Sequence, residues 1–380
     1  MIRLSRPDII DADIARAVEV IRSGMLVQGE KVAAFEEGLA SFSGIPFAVA
    51  LSSGTAALHL ALKALGLGRG HRVIVPAFTF PATANVVEAL GAETVLCDVD
   101  DRAYVMTAEA LRGCIDRNRG EGLSAVMVVH EFGFPAPVAE IAAICRDEGL
   151  LLVEDAACAL GTVADGNHPG FYGDAACFSF HPRKAITTGE GGAVMTRRED
   201  LAQAVASLRN HGMVRNAGGI DFAEAGLNYR MTDFQAALAP GQLERFPREL
   251  ARRQELAAVY MGELASLEGV TLPVIPEGHS LQSFMILLDE TLSRNGIIER
   301  LRNRGIETNL GAQALNCLDY YRRNYGLGEE SCPVASRLYR SGLVLPLYGA
   351  LSADEVKLVS ATLREELDSI DSFRDGDSSS

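Results

Sequence analysis

The chain has 380 residues, with 35 Lys and Arg against 50 Asp and Glu, a formal charge of −15. That length predicts a large domain of roughly 200 to 250 residues plus a smaller one, and 48% hydrophobic against 22% charged residues excludes global disorder. The acidic balance, with no Lys/Arg stripe, excludes nucleic acid as a partner, and apolar runs such as 125–129 and 150–153 fall far short of the roughly 20 residues of a membrane span.

The first residues, MIRLSRPDIIDADIARAVEVI, carry acids and helical periodicity where a secretory signal needs an unbroken apolar core, so the chain reads as a mature, cytoplasmic protein. From about residue 47 to 200, short apolar runs alternate with helical segments: FAVALSSG with TAALHLALKAL, HRVIVPAF with TFPATANVVEAL, then ETVLCDVD, SAVMVVHEFG, AEIAAICRDEG and LLLVEDAA. This is the rhythm of parallel strands covered by helices on both faces. The C-terminal ends of such strands share one edge, where open α/β folds place ligands. The segments 52–55, 76–80, 98–100, 130–132 and 154–158 are therefore the candidate site.

Residues 199–212 read as a helix and 213–230 as a Gly-bearing loop. Residues 231–264 read as a long helix interrupted or bent near Pro240 and Gly241, leaving the large domain. A weaker strand around SFMILL, a helix around ETLSRNGIIERLRNRG and a last helix around SADEVKLVSATLREEL follow. The expected division is a large domain over 1–245, whose first residues to about 25 can pack on the small domain, a small α+β domain over 246–368, and a disordered tail over 369–380.

The seven cysteines are odd in number and contain no CxxC pair, which suits reduced thiols and not a zinc site. No HExxH or paired histidine spacing occurs, and the runs 66–70 and 189–192 fit neither a dinucleotide fingerprint nor a P-loop. Lys184 sits between an aromatic-flanked run and a Gly-rich turn in CFSFHPRKAITTGEGGAVMT. Burial there favours the neutral amine, the form that condenses with a carbonyl; a surface lysine in a hairpin turn fits the same pattern. Asp155, ending LLLVED, suits a protonated pyridine nitrogen of the kind pyridoxal 5′-phosphate (PLP) presents, and equally a helix N-cap. In SSGTAALHLAL, Gly54 permits a tight turn and Thr55 opens a helix whose amides can seat a phosphate, although Ser and Thr are ordinary caps. Ser179 offers a further hydroxyl or is a plain strand residue.

Taken in order, SSGTAALHLAL, VIVPAFTFPATANVV, DVD, VVHEFGFPA, VEDAACALG, GDAACFSFHPRKAITTGEGGAVMT and NYRMTDFQAAL resemble the DegT/DnrJ-type (StrS-like) PLP-dependent nucleotide-sugar aminotransferases, over about residues 5 to 365. The form FHPRKAITTGEGG is most similar to their perosamine-synthase-like branch, which aminates C4 of nucleotide-linked 4-keto-6-deoxy sugars. The resemblance implies an α/β, aspartate aminotransferase-like large domain (fold type I) with a mainly parallel central sheet, and a smaller α+β C-terminal domain. It implies that Lys184 links to the cofactor and shuttles the substrate proton, that Asp155 keeps the pyridine nitrogen protonated, that Gly54, Thr55 and Ser179 seat the phosphate, and that Phe80 stacks on the ring. Asn228, in the GxNYR motif, would reach the phosphate in the neighbouring subunit, implying a homodimer with shared active sites.

Three departures stand out. Cys158 occupies a position where many relatives have Gln or His near the cofactor's 3′ oxygen; residues 135–137 are PAP where many have PAD; and Asn316 follows Ala314 and Leu315 where relatives have ALH in a sugar-facing region. His181, Tyr229, Arg230 and Asn316 are the candidate substrate contacts, with a turn hydrogen bond for His181 and an interface role for Arg230 as the other readings. The expected function is a two-step transamination, with L-glutamate as donor and a nucleotide-linked keto sugar as acceptor. A 3-keto-sugar aminotransferase and a PLP-binding regulator without turnover are the rivals; keeping Lys184, Asp155, Ser179 and Asn228 together argues against the second. A dehydrating branch carries histidine in place of the lysine, which this chain retains.

Overall fold

The structure, a computed structural model, describes residues 1–377. The chain starts with α1 (Asp11–Ser23) and α2 (Glu30–Ser43). Strands and helices then alternate: β1 (Phe47–Leu51), α3 (Gly54–Ala64), β2 (Arg72–Pro76), β3 (Phe78–Thr79), α4 (Ala82–Ala89), β4 (Glu93–Cys97) and α5 (Ala108–Arg117). They continue as β5 (Leu123–Val129), α6 (Val138–Glu148), β6 (Leu151–Asp155), β7 (Ala175–Ser179) and β8 (Gly192–Thr196).

Seven of these strands form one sheet in the order β1-β8-β7-β6-β5-β2-β4. Every neighbouring pair from β7 to β4 is parallel, and β8 alone runs against the rest. Alternate strand residues feed opposite faces. Val73, Val75, Met127 and Val153 join the apolar cluster with Leu58, Leu62 and Val87 of α3 and α4, whereas Ile74, Val126, Val128 and Leu152 pack with Leu111, Ile115, Ile141 and Ile144 of α5 and α6. Burial on both faces is why the strands read as unbroken apolar runs. The expected α/β large domain with a mainly parallel sheet is what the chain forms.

After the sheet come α7 (Glu199–Leu208), the hairpin β9 (Met213–Asn216) and β10 (Gly219–Phe222), α8 (Asp233–Ala236) and α9 (Ala239–Leu264). Two details differ from expectation. The helix predicted over 199–212 stops at Leu208, and the segment predicted as a loop contains an antiparallel ribbon closed through the Ala217-Gly218 turn. The long helix breaks ahead of Pro240, at 237–238, because proline suits a first helical turn that needs no donor from it; Pro247 lies inside α9.

The remaining elements are β11 (Val270–Thr271), β12 (Phe284–Leu288), α10 (Arg294–Asn303), β13 (Gln313–Ala314), α11 (Asp319–Tyr325), α12 (Pro333–Ser341), β14 (Gly342–Leu345) and α13 (Ala353–Asp377). Strands β11, β12 and β14 make a second, antiparallel sheet. Its core joins Leu256 and Tyr260 of α9 to Phe284, Ile286, Leu343, Val356 and Leu363. Ile2 enters this core, its amide donating to Gly305 O at 2.8 Å. Strand β13 leaves it and pairs with β3 of the large domain. Helix α13 runs to Asp377, through most of the segment expected as a disordered tail, since 364–375 contain neither Gly nor Pro to stop it. Residues 378–380 of that tail lie outside the described residues.

The start of α2 is held from a distant part of the chain. Buried Asp233 accepts the amides of Gly29 at 2.7 Å, Val32 at 3.0 Å and Lys31 at 3.3 Å. Asp233→Ala leaves these donors without an acceptor, and urea unfolding is expected to show a loss of about 2–3 kcal/mol, with Asp233→Asn losing less.

Candidate active site

The C-terminal ends of β1, β2, β5, β6 and β7 share one edge of the sheet, and a cavity of about 390 Å³ opens there, walled on its far side by Gln282, Asn309, Gly311 and Leu347. Such a position, between two packed bodies and at strand ends, is where α/β folds bind small molecules. Gly54, Thr55, Phe80, Asp155, Cys158, Ser179, His181 and Lys184 all line this one cavity.

At its outer end the β1–α3 turn, β7 and β8 meet. Ser53 caps α3, its Oγ accepting the Ala56 amide at 3.1 Å. A Cβ on Gly54 would stand 2.8 Å from Ser179 Cβ, and one on Gly192 would stand 2.3 Å from Ser53 O, so glycine alone allows these segments to close up. The result is a cradle of first-turn helix amides, which lack intrahelical acceptors, beside the hydroxyls of Thr55 and Ser179.

At the inner end Asp155 is buried. Its Oδ2 accepts from Thr83 Oγ1 at 2.7 Å and its Oδ1 from the Ala157 amide at 3.1 Å. Burial pushes its carboxyl up from the ordinary range, against the pull of Thr83, Ala157 and the nearby positive charge of Lys184. Lys184 lies in the turn after β7, its amide donating to His181 O at 2.8 Å and its Nζ to Cys158 Sγ at 2.9 Å. Burial lowers the Lys184 pKa, but the Cys158 sulfur, Glu131 and Asp155 raise it and prevail. The expectation considered burial alone; it does favour the neutral amine, and these neighbours oppose it. Burial pushes the Cys158 thiol up. His181 Nδ1 accepts the Arg183 amide at 3.2 Å, the turn bond foreseen for it, and burial lowers its pKa against Glu190.

The model of the DegT/DnrJ/EryC1/StrS aminotransferase family matches residues 7–364. The chain belongs to that family. It is 34% identical to an uncharacterised protein of Methanocaldococcus jannaschii, over 92% of this chain and 94% of that one. Among solved structures it is similar to the aminotransferase TlmJ from Streptoalloteichus hindustanus, with 32% identity, a TM-score of 0.89 and coverage of 97% and 100% of the two chains. It is also similar to a putative sugar aminotransferase from Streptococcus pneumoniae in its PLP form, with 28% identity, a TM-score of 0.89 and coverage of 96% and 98%.

As a DegT/DnrJ/EryC1/StrS aminotransferase the chain is a PLP-dependent enzyme of fold type I. Its residues fit that cofactor: a cradle that added Cβ atoms would fill, a sealed carboxylate suited to a pyridinium, and a lysine between them in the same cavity.

Four expected site residues stand outside the cavity wall. Asn228 bridges to Asn210, Tyr229 O accepts the Ser52 amide at 2.9 Å with its ring 5.8 Å from His59, and Arg230 bonds Asn210 Oδ1. Asn316 is fully buried, its Nδ2 donating to Gly328 O at 2.9 Å and Ser336 Oγ at 2.8 Å; a sugar contact from this side chain is corrected to a structural role, because no ligand can reach it. The edge candidates Asp98 and Asp100 are also structural, Asp98 accepting the first amides of α12 and Asp100 those of Arg102 and Ala103. Sequence reasoning missed Thr83 and Glu131. Thr83 lies one helical turn beyond Phe80, a spacing that announces nothing about Asp155. Glu131 was inside a flagged strand end, but its burial was not foreseeable.

Thr83→Val removes one of the two hydrogen bonds on Asp155. The carboxyl pKa, already raised by burial, then rises further, so ionised Asp155 is lost at higher pH as acid is added. We expect PLP to bind about tenfold more weakly near neutral pH, with the onset of acid release moved upward, as read by cofactor titration across pH.

Proposed function

We propose that this enzyme moves an amino group from L-glutamate to the keto carbon of a nucleotide-linked sugar of the 4-keto-6-deoxy type, yielding an amino-sugar nucleotide for polysaccharide or glycoside biosynthesis. The observation that carries the reading is the convergence of Lys184, Asp155 and the α3 cradle on one cavity at the sheet edge. The S. pneumoniae relative, described as a putative sugar aminotransferase, and the FHPRKAITTGEGG segment support a keto-sugar acceptor. When bound, PLP supplies the electron sink that lets a carbon–hydrogen bond next to nitrogen ionise.

The chain's own groups do the rest. Gly54, Thr55 and Ser179 hold the phosphate through amides and hydroxyls, and Asp155 keeps a negative charge against the ring nitrogen. Phe80 covers the ring, Cys158 stands beside its oxygen, and Lys184 anchors the cofactor and then carries the proton on and off the reacting carbon as a general base and acid. His181, at the cavity wall, contacts the substrate.

The protein acts as a homodimer in which Asn228, Tyr229 and Arg230 serve the neighbouring site. The exposed apolar side chains of Met25, Leu26, Val27, Ile220 and Phe222 support a second copy packing there. Seven free cysteines suit the reducing cytoplasm; among the described residues no helix is long and apolar enough to cross a membrane.

Excess L-glutamate is expected to remove the visible band of the lysine-bound cofactor and raise that of its aminated form. A glutamate-insensitive band would mean another donor or a pocket without turnover. Lys184→Ala is expected to lose more than about 10³-fold in turnover; activity within about tenfold of wild type would overturn the lysine's role. A panel of 3-keto and 4-keto nucleotide sugars decides the carbon. Mixing Lys184→Ala with Asn228→Ala protein tests the shared site, since mixed dimers regain activity only if Asn228 acts in the partner.

A further inference from the structure

The cavity has two kinds of wall. The strand ends bring charged Lys184, Asp155 and Glu131, whereas every cavity-lining residue from 282 onward is neutral. Gln282, Ser283 and Asn309 are the polar members of that second wall, set among apolar residues that include Leu310, Leu345 and Leu347. A face of uncharged hydrogen-bonding groups in hydrocarbon offers little to a carboxylate or a diphosphate, which call for cations or clustered amides. It suits a ring that carries hydroxyls and C–H bonds.

Gln282 is the most firmly fixed of these. Its amide donates to Phe132 O at 2.9 Å, its carbonyl accepts from Arg253 Nη1 at 3.4 Å, and its Nε2 donates to Arg183 O at 2.6 Å. A carbonyl only accepts, so the group facing Arg183 O must be the NH2, and the carboxamide cannot be turned over. That leaves Oε1 as an acceptor of fixed direction. It has no partner among the described residues and is not sealed from solvent, although the residue is only 8% exposed. Arg183 O belongs to the peptide bond that leads into Lys184, so the open acceptor stands at the reacting end of the cavity.

Asn309 complements it from the same wall. Its backbone N–H and C=O both pair with Val344, at 3.3 and 2.8 Å, and its Oδ1 accepts the Leu310 amide at 2.8 Å, which leaves Nδ2 as its free donor. One open acceptor and one open donor match a polyhydroxylated ring, since each hydroxyl both gives and takes a hydrogen bond.

We propose that Gln282 is a specificity-determining residue for the acceptor sugar: its Oε1 takes the hydroxyl hydrogen on the carbon next to the keto carbon, Asn309 Nδ2 donates to another oxygen of the same ring, and the leucines cover its deoxy edge. The inference rests on the keto-sugar reading above and names the part of the site that reads the sugar. In a 4-keto-6-deoxy sugar the hydroxyl so placed is the one on C3, because C5 carries the ring oxygen and the methyl group.

The test separates the two half-reactions in the full-length, PLP-loaded enzyme. L-Glutamate drives the first, read as loss of the visible band of the lysine-bound cofactor; a dTDP-, GDP- or UDP-linked 4-keto-6-deoxyhexose drives the second, read as the return of that band. Gln282→Met removes the brace on the lysine turn and so slows both, but kcat/KM of the sugar half-reaction is expected to fall about tenfold further, and Asn309→Ala to show the same bias. Wild-type enzyme is expected to lose about tenfold on the 3-deoxy form of the same sugar, and Gln282→Met to lose nothing more, because the bond is already gone. Equal losses in both half-reactions would leave Gln282 a structural brace and overturn the proposal, as would equal wild-type rates on the hydroxylated and 3-deoxy sugars. The second comparison needs no variant, so it decides even where Gln282→Met fails to fold. A wild type that answers glutamate but none of the keto sugars would instead overturn the keto-sugar reading, so the two failures are told apart.

Discussion

A carboxylate buried at the inner end of the cavity is the constraint around which this site is built. Asp155 ends β6, with β5 on one side and β7 on the other, so burial favours its acid form. A hydroxyl from the start of α4, the Ala157 amide and the charge of Lys184 oppose this and favour the carboxylate. Each arrives beyond a different strand of the parallel sheet: Thr83 beyond β2, Ala157 after β6 and Lys184 after β7. Only parallel strands bring such ends to one edge. Had β7 run the other way, Lys184 would lie a strand's length from the carboxylate it must face.

The second body does more than wall the cavity. Arg253, buried in α9, points Nη1 at the carbonyls of Leu281, Gln282 and Leu347, each at 3.4 Å. Burial lowers its pKa to about 10, so it remains charged at neutral pH and its hydrogen bonds are charge-assisted. The segments it gathers carry Gln282 and Leu347 to the cavity. Gln282 Nε2 in turn donates to Arg183 O at 2.6 Å, the residue before Lys184, so the turn that aims the lysine is braced from the other side.

What could be read from sequence follows from which forces are local. The central sheet was legible because strands buried on both faces must be apolar throughout, as at 73–75 and 125–128. Gly54, Thr55 and Lys184 could be singled out because glycine spacing and a lone lysine are local patterns, while the roles expected of them came from the ordered set of motifs that resembles the family. The pairing of β13 with β3, the brace from Arg253 and the burial of Asn316 were not, since each is a contact between residues far apart in the chain. The pKa of Lys184 shows the same limit: burial alone argued for a lowered value, and neighbours at and beyond the ends of β5 and β6 reversed the direction. Glu131 lay within a flagged segment, yet only the left-handed turn at Phe132 explains how a carboxyl after an apolar strand comes to face the cavity.

The division of charge in the cavity explains how a chain of net charge −15 serves anionic ligands. The cradle at the start of α3 consists of amides and of the hydroxyls of Thr55 and Ser179, without a Lys or Arg side chain among its members. Helix-end amides favour an anion through local dipoles that the distant acidic surface, screened over about 10 Å, scarcely weakens. With no cation in the cradle proposed for the phosphate, Lys184 would be spared that pairing, and the groups acting on it are Cys158, Glu131 and Asp155. A phosphate-bound lysine would be a permanent ammonium. A lysine whose partners are a thiol and two carboxyls can change its state, which is the property an acid–base group needs.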